Sequence, residues 1–232
     1  MNNHLNQNFR CMVVAAFALA TGNYAGEAQG FLNLDFEAAN VLDLPAGQAE
    51  LVSTSAGLPG WTAYYGTAQQ GQIFHNRESY GAIVIAIIGP RYTWPAFQGR
   101  YMALLDPGNT WTNTQVFVPA SIGQAGVVPS DARVLQLTMD ATFPEYFSAS
   151  FNEQPISLLD AGQVPNGRIY EGDVSAFAGQ TGELRLTSYP QPGSYWNQVY
   201  LDNIKFLVPE PSAASLTALG AMLLLLRQRN SP

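Results

Sequence analysis

The chain has 232 residues, a net charge of −7, 47% hydrophobic and only 12% charged side chains, and a single cysteine, Cys11. The acidic excess disfavours nucleic acid and anionic membrane surfaces as partners. One cysteine excludes a disulfide framework, so stability has to come from a packed core or a bound ion.

The first predicted element is a secretion signal over residues 1–28. Residues 1–10 carry Arg10 and His4 and no acid, and Cys11 to Ala20 is unbroken apolar sequence. That run is too short to span a bilayer and has the size of a signal-peptide h-region. Ala18-Leu19-Ala20 is a small-x-small cleavage sequence, and Ala28 is a second candidate. The expected partner is the secretion translocon. Cleavage would remove the only cysteine, leaving an exported domain with no cross-link.

Residues 29–207 read as one domain, long enough to bury a proper core. Over 30–207 there are seven basic and fifteen acidic side chains, a net charge of −8. In chain order, Asn33-Leu34-Asp35-Phe36-Glu37 is expected as an opening strand. Leu58-Pro59-Gly60 is a turn signal before Trp61. Ile83 to Ile88 is continuously apolar and reads as a strand buried on both faces. Gly89-Pro90 ends it, Gly99 to Leu104 forms the next strand, and Asp106-Pro107-Gly108-Asn109 reads as a turn. Period-two alternation in Gln115-Val116-Phe117-Val118, in Val134 to Met139 and in Glu183 to Thr187 predicts half-buried strands. Pro165-Asn166-Gly167 and Gln191-Pro192-Gly193 are further turns. In Val199 to Phe206 the apolar set sits at 199 and 201, then at 204 and 206. A phase flip at Asp202-Asn203 is what a β-bulge produces. Many short strands with Gly/Pro turns predict an all-β fold, an antiparallel β-sandwich or jelly roll.

The last element is the segment 208–232. Val208-Pro209-Glu210-Pro211-Ser212 is followed by the apolar run Ala213 to Leu226 and then Arg227-Gln228-Arg229. The prolines force an extended segment. The run, counted from Val208, is close to the ~20 residues needed to cross a bilayer. Arg227 and Arg229 form a basic stop on the cytoplasmic side. This order resembles the PEP-CTERM sorting tail of secreted proteins in exopolysaccharide-producing Gram-negative bacteria. The resemblance implies transient membrane insertion, recognition of Pro209, Glu210 and Pro211 by an exosortase, and removal of the tail. The expected destination is the cell surface or extracellular matrix.

The order of blocks in the core is similar to the galactose-binding-like jelly roll of many carbohydrate-binding modules. Asn33 to Glu37 looks like its N-x-x-F-E opening, Gly60-Trp61 like the start of its second strand, Gly99 to Leu104 like its G-x-Y-x-L strand, and Leu201 to Phe206 like its D-x-I-x-F closing strand. In that fold the opening and closing strands are neighbours and share a structural Ca²⁺. The resemblance implies Glu37 and Asp202 as side-chain ligands, with Asp35 a weaker third. Calcium takes six to eight oxygens, which suits such acids, and would staple a cysteine-free domain.

Signatures of catalysis are missing from the sequence. No G-x-S-x-G, G-x-G-x-x-G or P-loop occurs, and His75 is the only histidine of the exported part. The expectation is a protein that is not an enzyme. Aromatic side chains in loops can pack on sugar rings, and Trp94, Trp111, Trp196 and Tyr65 are the candidates for glycan contact. Trp61 is expected in the core. Together these features predict an exported surface or matrix protein bound to, or associated with, exopolysaccharide. The alternatives are a self-associating biofilm-matrix protein and a small secreted glycan hydrolase.

Overall fold

The computed structural model describes residues 30–79, 81–92, 95–110, 113–193 and 196–208. The signal segment 1–28, the sorting motif at Pro209, Glu210 and Pro211, the basic stop at Arg227 and Arg229, and the side chains of Trp94 and Trp111 lie outside these residues. Among the described residues no helix is long and apolar enough to cross a membrane.

The regular structure of the described chain is almost entirely strand. After a turn-rich opening segment come β1 (Glu50–Ser53), a one-turn helix α1 (Thr54–Gly57), β2 (Thr62–Tyr65), β3 (Ala68–Gln70), β4 (Gln72–His75), β5 (Val84–Ile88) and β6 (Met102–Asp106). Next are β7 (Gly108–Thr110), β8 (Asn113–Val118), β9 (Ala120–Val127), β10 (Val134–Ala141), β11 (Phe147–Phe151) and β12 (Gln154–Ile156). The chain ends in β13 (Leu159–Val164), β14 (Gly167–Asp173), β15 (Thr181–Ser188) and β16 (Val199–Leu207). Ser53 caps α1, its hydroxyl accepting the Ala56 N–H at 3.2 Å.

Two sheets pack face to face, as expected for an all-β sandwich. One has eight strands in the order β1-β4-β5-β6-β16-β10-β14-β13, the other six in the order β12-β11-β15-β9-β2-β3. Neighbouring strands run antiparallel except β4 and β5, which pair in parallel. Alternation sorts the side chains. Ile85, Ile87, Ala103, Leu105, Leu135, Leu137, Val199 and Leu201 of the large sheet meet Ala63, Ile122, Leu184 and Leu186 of the small one. Trp61 joins this core, 4% exposed, its ring 5.8 Å from that of Phe36.

Every residue of β5 is buried, because its other face is covered as well. Val84, Ala86, Ile88, Met102, Leu104 and Tyr200 form a second apolar layer on the outside of the large sheet. Tyr92, Ala96 and Phe97 of the β5–β6 connection, with Phe74, lie across it.

The phase flip in β16 is a bulge. Gln136 pairs with Lys205 and Thr138 with Asp202, so Leu137 faces two residues, Asn203 and Ile204. Asn203 takes the left-handed conformation (φ 53°), which Asn tolerates better than other non-glycine residues. The bulge turns the Ile204 N–H out of the ladder, and it donates to the Leu34 carbonyl at 2.9 Å. The opening segment is thereby tied to the closing strand.

Two readings need correction. Asn33 to Glu37 is not a strand but a run of turns: Asn33 (φ 49°) and Phe36 (φ 58°) are both left-handed. Side-chain bonding outcompetes the ladder, since Asn33 Oδ1 accepts the Ala38 N–H and Asn33 Nδ2 donates to the Pro59 carbonyl. Pro107-Gly108-Asn109 is not a free turn either. Residues 108–110 pair antiparallel with β8 as β7, Gly108 opposite Val118 and Asn109 opposite Phe117, and Asn109 also bridges to Gly81 and Ile83 through its N–H and carbonyl.

Candidate functional site

The opening turns, the end of the β5–β6 connection and the bulge in β16 converge at one place. Residues 202, 200 and 198 alternate outward from the core, so Asp202 lies on the outer face of the large sheet, fully buried. Its Oδ2 accepts the Gln98 N–H at 2.8 Å, and its Oδ1 the Asn203 N–H at 2.6 Å. Glu37 Oε1 accepts two N–H groups, from Arg100 at 2.7 Å and Tyr101 at 2.9 Å. Three N–H groups of the 98–101 turn therefore end on these two carboxylates.

Gly99 is required between them. It sits at φ +66°, and a Cβ there would lie 2.3 Å from Glu37 Oε1. Asp35 bends back to accept the Glu37 N–H at 3.3 Å. It lines a shallow hollow with Gln98, Asn203 and Lys205.

The electrostatics are those of an uncompensated acid. Burial pushes the Asp202 carboxyl up to about 7; the Gln98 and Asn203 N–H groups oppose the shift, and the charges of Glu37 and Asp35 add to it. Arg100 is engaged elsewhere, donating to both oxygens of Asp43 at 2.9 and 3.0 Å.

A hard cation suits this set. Two carboxylates with like-charged surroundings, one fully buried, are what an oxygen-seeking divalent ion neutralises. Each Asp202 oxygen accepts one N–H and keeps a lone pair for a metal, whereas Glu37 Oε1 accepts two, so Oε2 is the Glu37 oxygen an ion would take. Among the described residues no three Asp, Glu, His or Cys side chains gather closely enough to hold an ion alone, so carbonyl oxygens would have to complete the shell. The structure thus places Glu37 and Asp202 around one turn, with Asp35 beside them. The reason differs from the expected strand pairing: it is the bulge and the turn bonds that assemble them.

Of the glycan candidates, Tyr65 and Trp196 are among the described residues. Tyr65 is half-buried at the end of β2 and packs against the main core, and burial raises its phenol pKa. Trp196 is half-buried before β16, its ring edge-on to Phe143 at 6.1 Å. Tyr64 stands beside Tyr65 in the aromatic cluster 61–65 of the sequence. Its ring carries the Arg185 guanidinium at 4.1 Å, and Arg185 Nε donates to Glu183 Oε1 at 2.6 Å. These side chains, with Ser150, Glu153 and Thr67, line a groove. The alternation of β15 and β2 was the available signal, since it puts Glu183, Arg185 and Tyr64 on the solvent face.

No protein-family model matches the chain, and no curated protein is significantly similar to it.

Proposed function

We propose that this is an exported protein without catalytic activity, whose calcium-stapled sandwich is delivered to the cell surface or matrix and associates there with polysaccharide. One observation carries the reading: a fully buried acid, Asp202, and Glu37 jointly hold the turn that joins the opening segment to the closing strand. Such an arrangement calls for a cation and serves stability rather than turnover. The tail resemblance, with an exosortase as processing partner, supports the surface destination. The half-buried Trp196 and the polar groove around Tyr64 and Arg185 support glycan contact.

The test is twofold. Chelation with EDTA should lower the melting temperature of the wild type by several degrees, and should lower that of Glu37→Gln by clearly less. An unchanged melting temperature in the wild type would retire the calcium site. Retention on a polysaccharide panel that includes the producer's own exopolysaccharide should be weakened by Trp196→Ala. No retention on any member would retire the glycan assignment and leave a matrix protein that occupies space.

A further inference from the structure

A second group of buried oxygens lies at the other end of the outer apolar layer. Asp106 closes β6 on the same face as Met102 and Leu104 and is fully buried. Its Oδ2 accepts the Ser79 N–H at 3.1 Å and, at 3.5 Å, the Gln198 amide. Its Oδ1 is buried with no hydrogen-bond partner. Either protonation state leaves that atom unsatisfied: ionised it is a bare anion in an apolar layer, protonated it is a donor with no acceptor.

The surroundings say what is missing. Glu78 adds negative charge to Asp106, and Glu78 Oε2 accepts the Tyr200 hydroxyl at 2.7 Å. The titratable groups acting on Tyr200 are Glu78, Tyr92 and Asp106, none of which is basic. Ser79 O accepts the same Gln198 Nε2 at 3.1 Å, so the Ser79 carbonyl and the Asp106 carboxylate converge on one point. The oxygen and nitrogen of a Gln amide are interchangeable by a half-turn, so Gln198 can offer an oxygen there instead.

We propose that Asp106, Glu78, the Ser79 carbonyl and Gln198 form a second cation site that takes a hard divalent ion of the calcium type. A buried water would also satisfy Oδ1, but the one charge acting on Asp106 is that of a second carboxylate, Glu78, which favours a positive ion. The site is separate from the first: Gln198, just before β16, and Asp202 within it are four residues apart, about 13 Å in extended chain. Its effect would be to pin the β4–β5 connection onto the sheet.

Equilibrium dialysis of the purified chain against Ca²⁺ tests this, with Asp106→Asn, Glu78→Gln and Glu37→Gln alongside. Asp106→Asn is close to isosteric, and Glu78→Gln gives a second reading should it fail to fold. Where both sites bind, the wild type takes up roughly two ions per chain and each variant roughly one. Tyrosine-sensitised Tb³⁺ emission should fall several-fold in Asp106→Asn and in Glu78→Gln, because the Tyr200 hydroxyl contacts Glu78. If Asp106→Asn and Glu78→Gln bind as many ions as the wild type, the second site is refuted and Asp106 is a buried neutral acid or a water ligand. Loss of binding in Asp106→Asn but not in Glu37→Gln would uphold this site and remove the first.

Discussion

Asp106 gives the molecule an inverted pH response. Burial pushes its carboxyl up to about 8, against an unfolded value near 3.8. Between those limits the folded state holds a proton that the unfolded chain releases, so in metal-free buffer stability falls as pH rises through this window. The expected contribution is on the order of 4 kcal/mol between pH 5 and 8, a little over ~1 kcal/mol per pH unit. Urea unfolding in EDTA should show it, and Asp106→Asn should flatten the profile between pH 7 and 8 and halve its slope below, where Asp202, raised to about 7, falls the same way. A wild-type profile that rises over the same range would show that Asp106 is ionised at no cost. Gly99 makes a sharper case. Gly99→Ala combines a left-handed backbone with a Cβ inside the Glu37 carboxylate, and should cost about 1–3 kcal/mol, read as a lowered urea midpoint. At this scale the sequence is only partly legible. Glu37 and Asp202 are visible because their blocks resemble a known pattern. Asp106 is invisible because its contacts, Ser79 and Gln198, are far away in the chain.

β16 is the element read best from sequence and the one on which most depends. Its phase flip is local information: the apolar set changes parity within eight residues, and the ladder confirms a bulge at the same place. Alternation puts Asp202 on the outer face, and the bulge that follows it supplies the Asn203 N–H to Asp202 and the Ile204 N–H to Leu34. Asn203→Val should therefore cost roughly 1–2 kcal/mol, since a β-branched residue resists the left-handed conformation. The same variant should weaken Ca²⁺ binding, measured by dialysis. An unchanged affinity would mean that the carboxylates do not need the bulge. β5 was legible for a similar reason: its unbroken apolar run means two covered faces, although nothing in the run says that its own following connection provides the second cover. The opening turns were misread because Phe36 and Glu37 match a strand pattern, whereas the Asn33 side chain decides the backbone. Asn109 was misread because Pro107-Gly108-Asn109 has the composition of a turn, and only its pairing with Phe117 of β8 makes it a strand.

For the whole molecule, the edges of the sheets matter as much as the core. β12 carries Pro155 and has only three residues. β13 breaks register between Asp160 and Gly162, and Asp160 pairs with Arg168 on its neighbour. β3 is equally short. Prolines, bulges and charges at edges prevent one sheet from extending another. The fold should therefore stay monomeric at high concentration, which sedimentation would check; assembly through strand edges would count for the self-associating matrix reading.

The order of the eight-stranded sheet also sets when the chain can fold. β16, the last strand in sequence, pairs with β6 on one side and β10 on the other. The halves β1-β4-β5-β6 and β10-β14-β13 have no direct link in that sheet until it arrives. Loop closure on that scale is slow, and a half-sheet with an open edge gains little. A chain threaded N-terminus first through a pore would thus remain loose until nearly its whole length had emerged. Synthesis and passage could proceed without a folded obstacle, and the arrival of the final nine residues of β16 would act as the trigger for collapse.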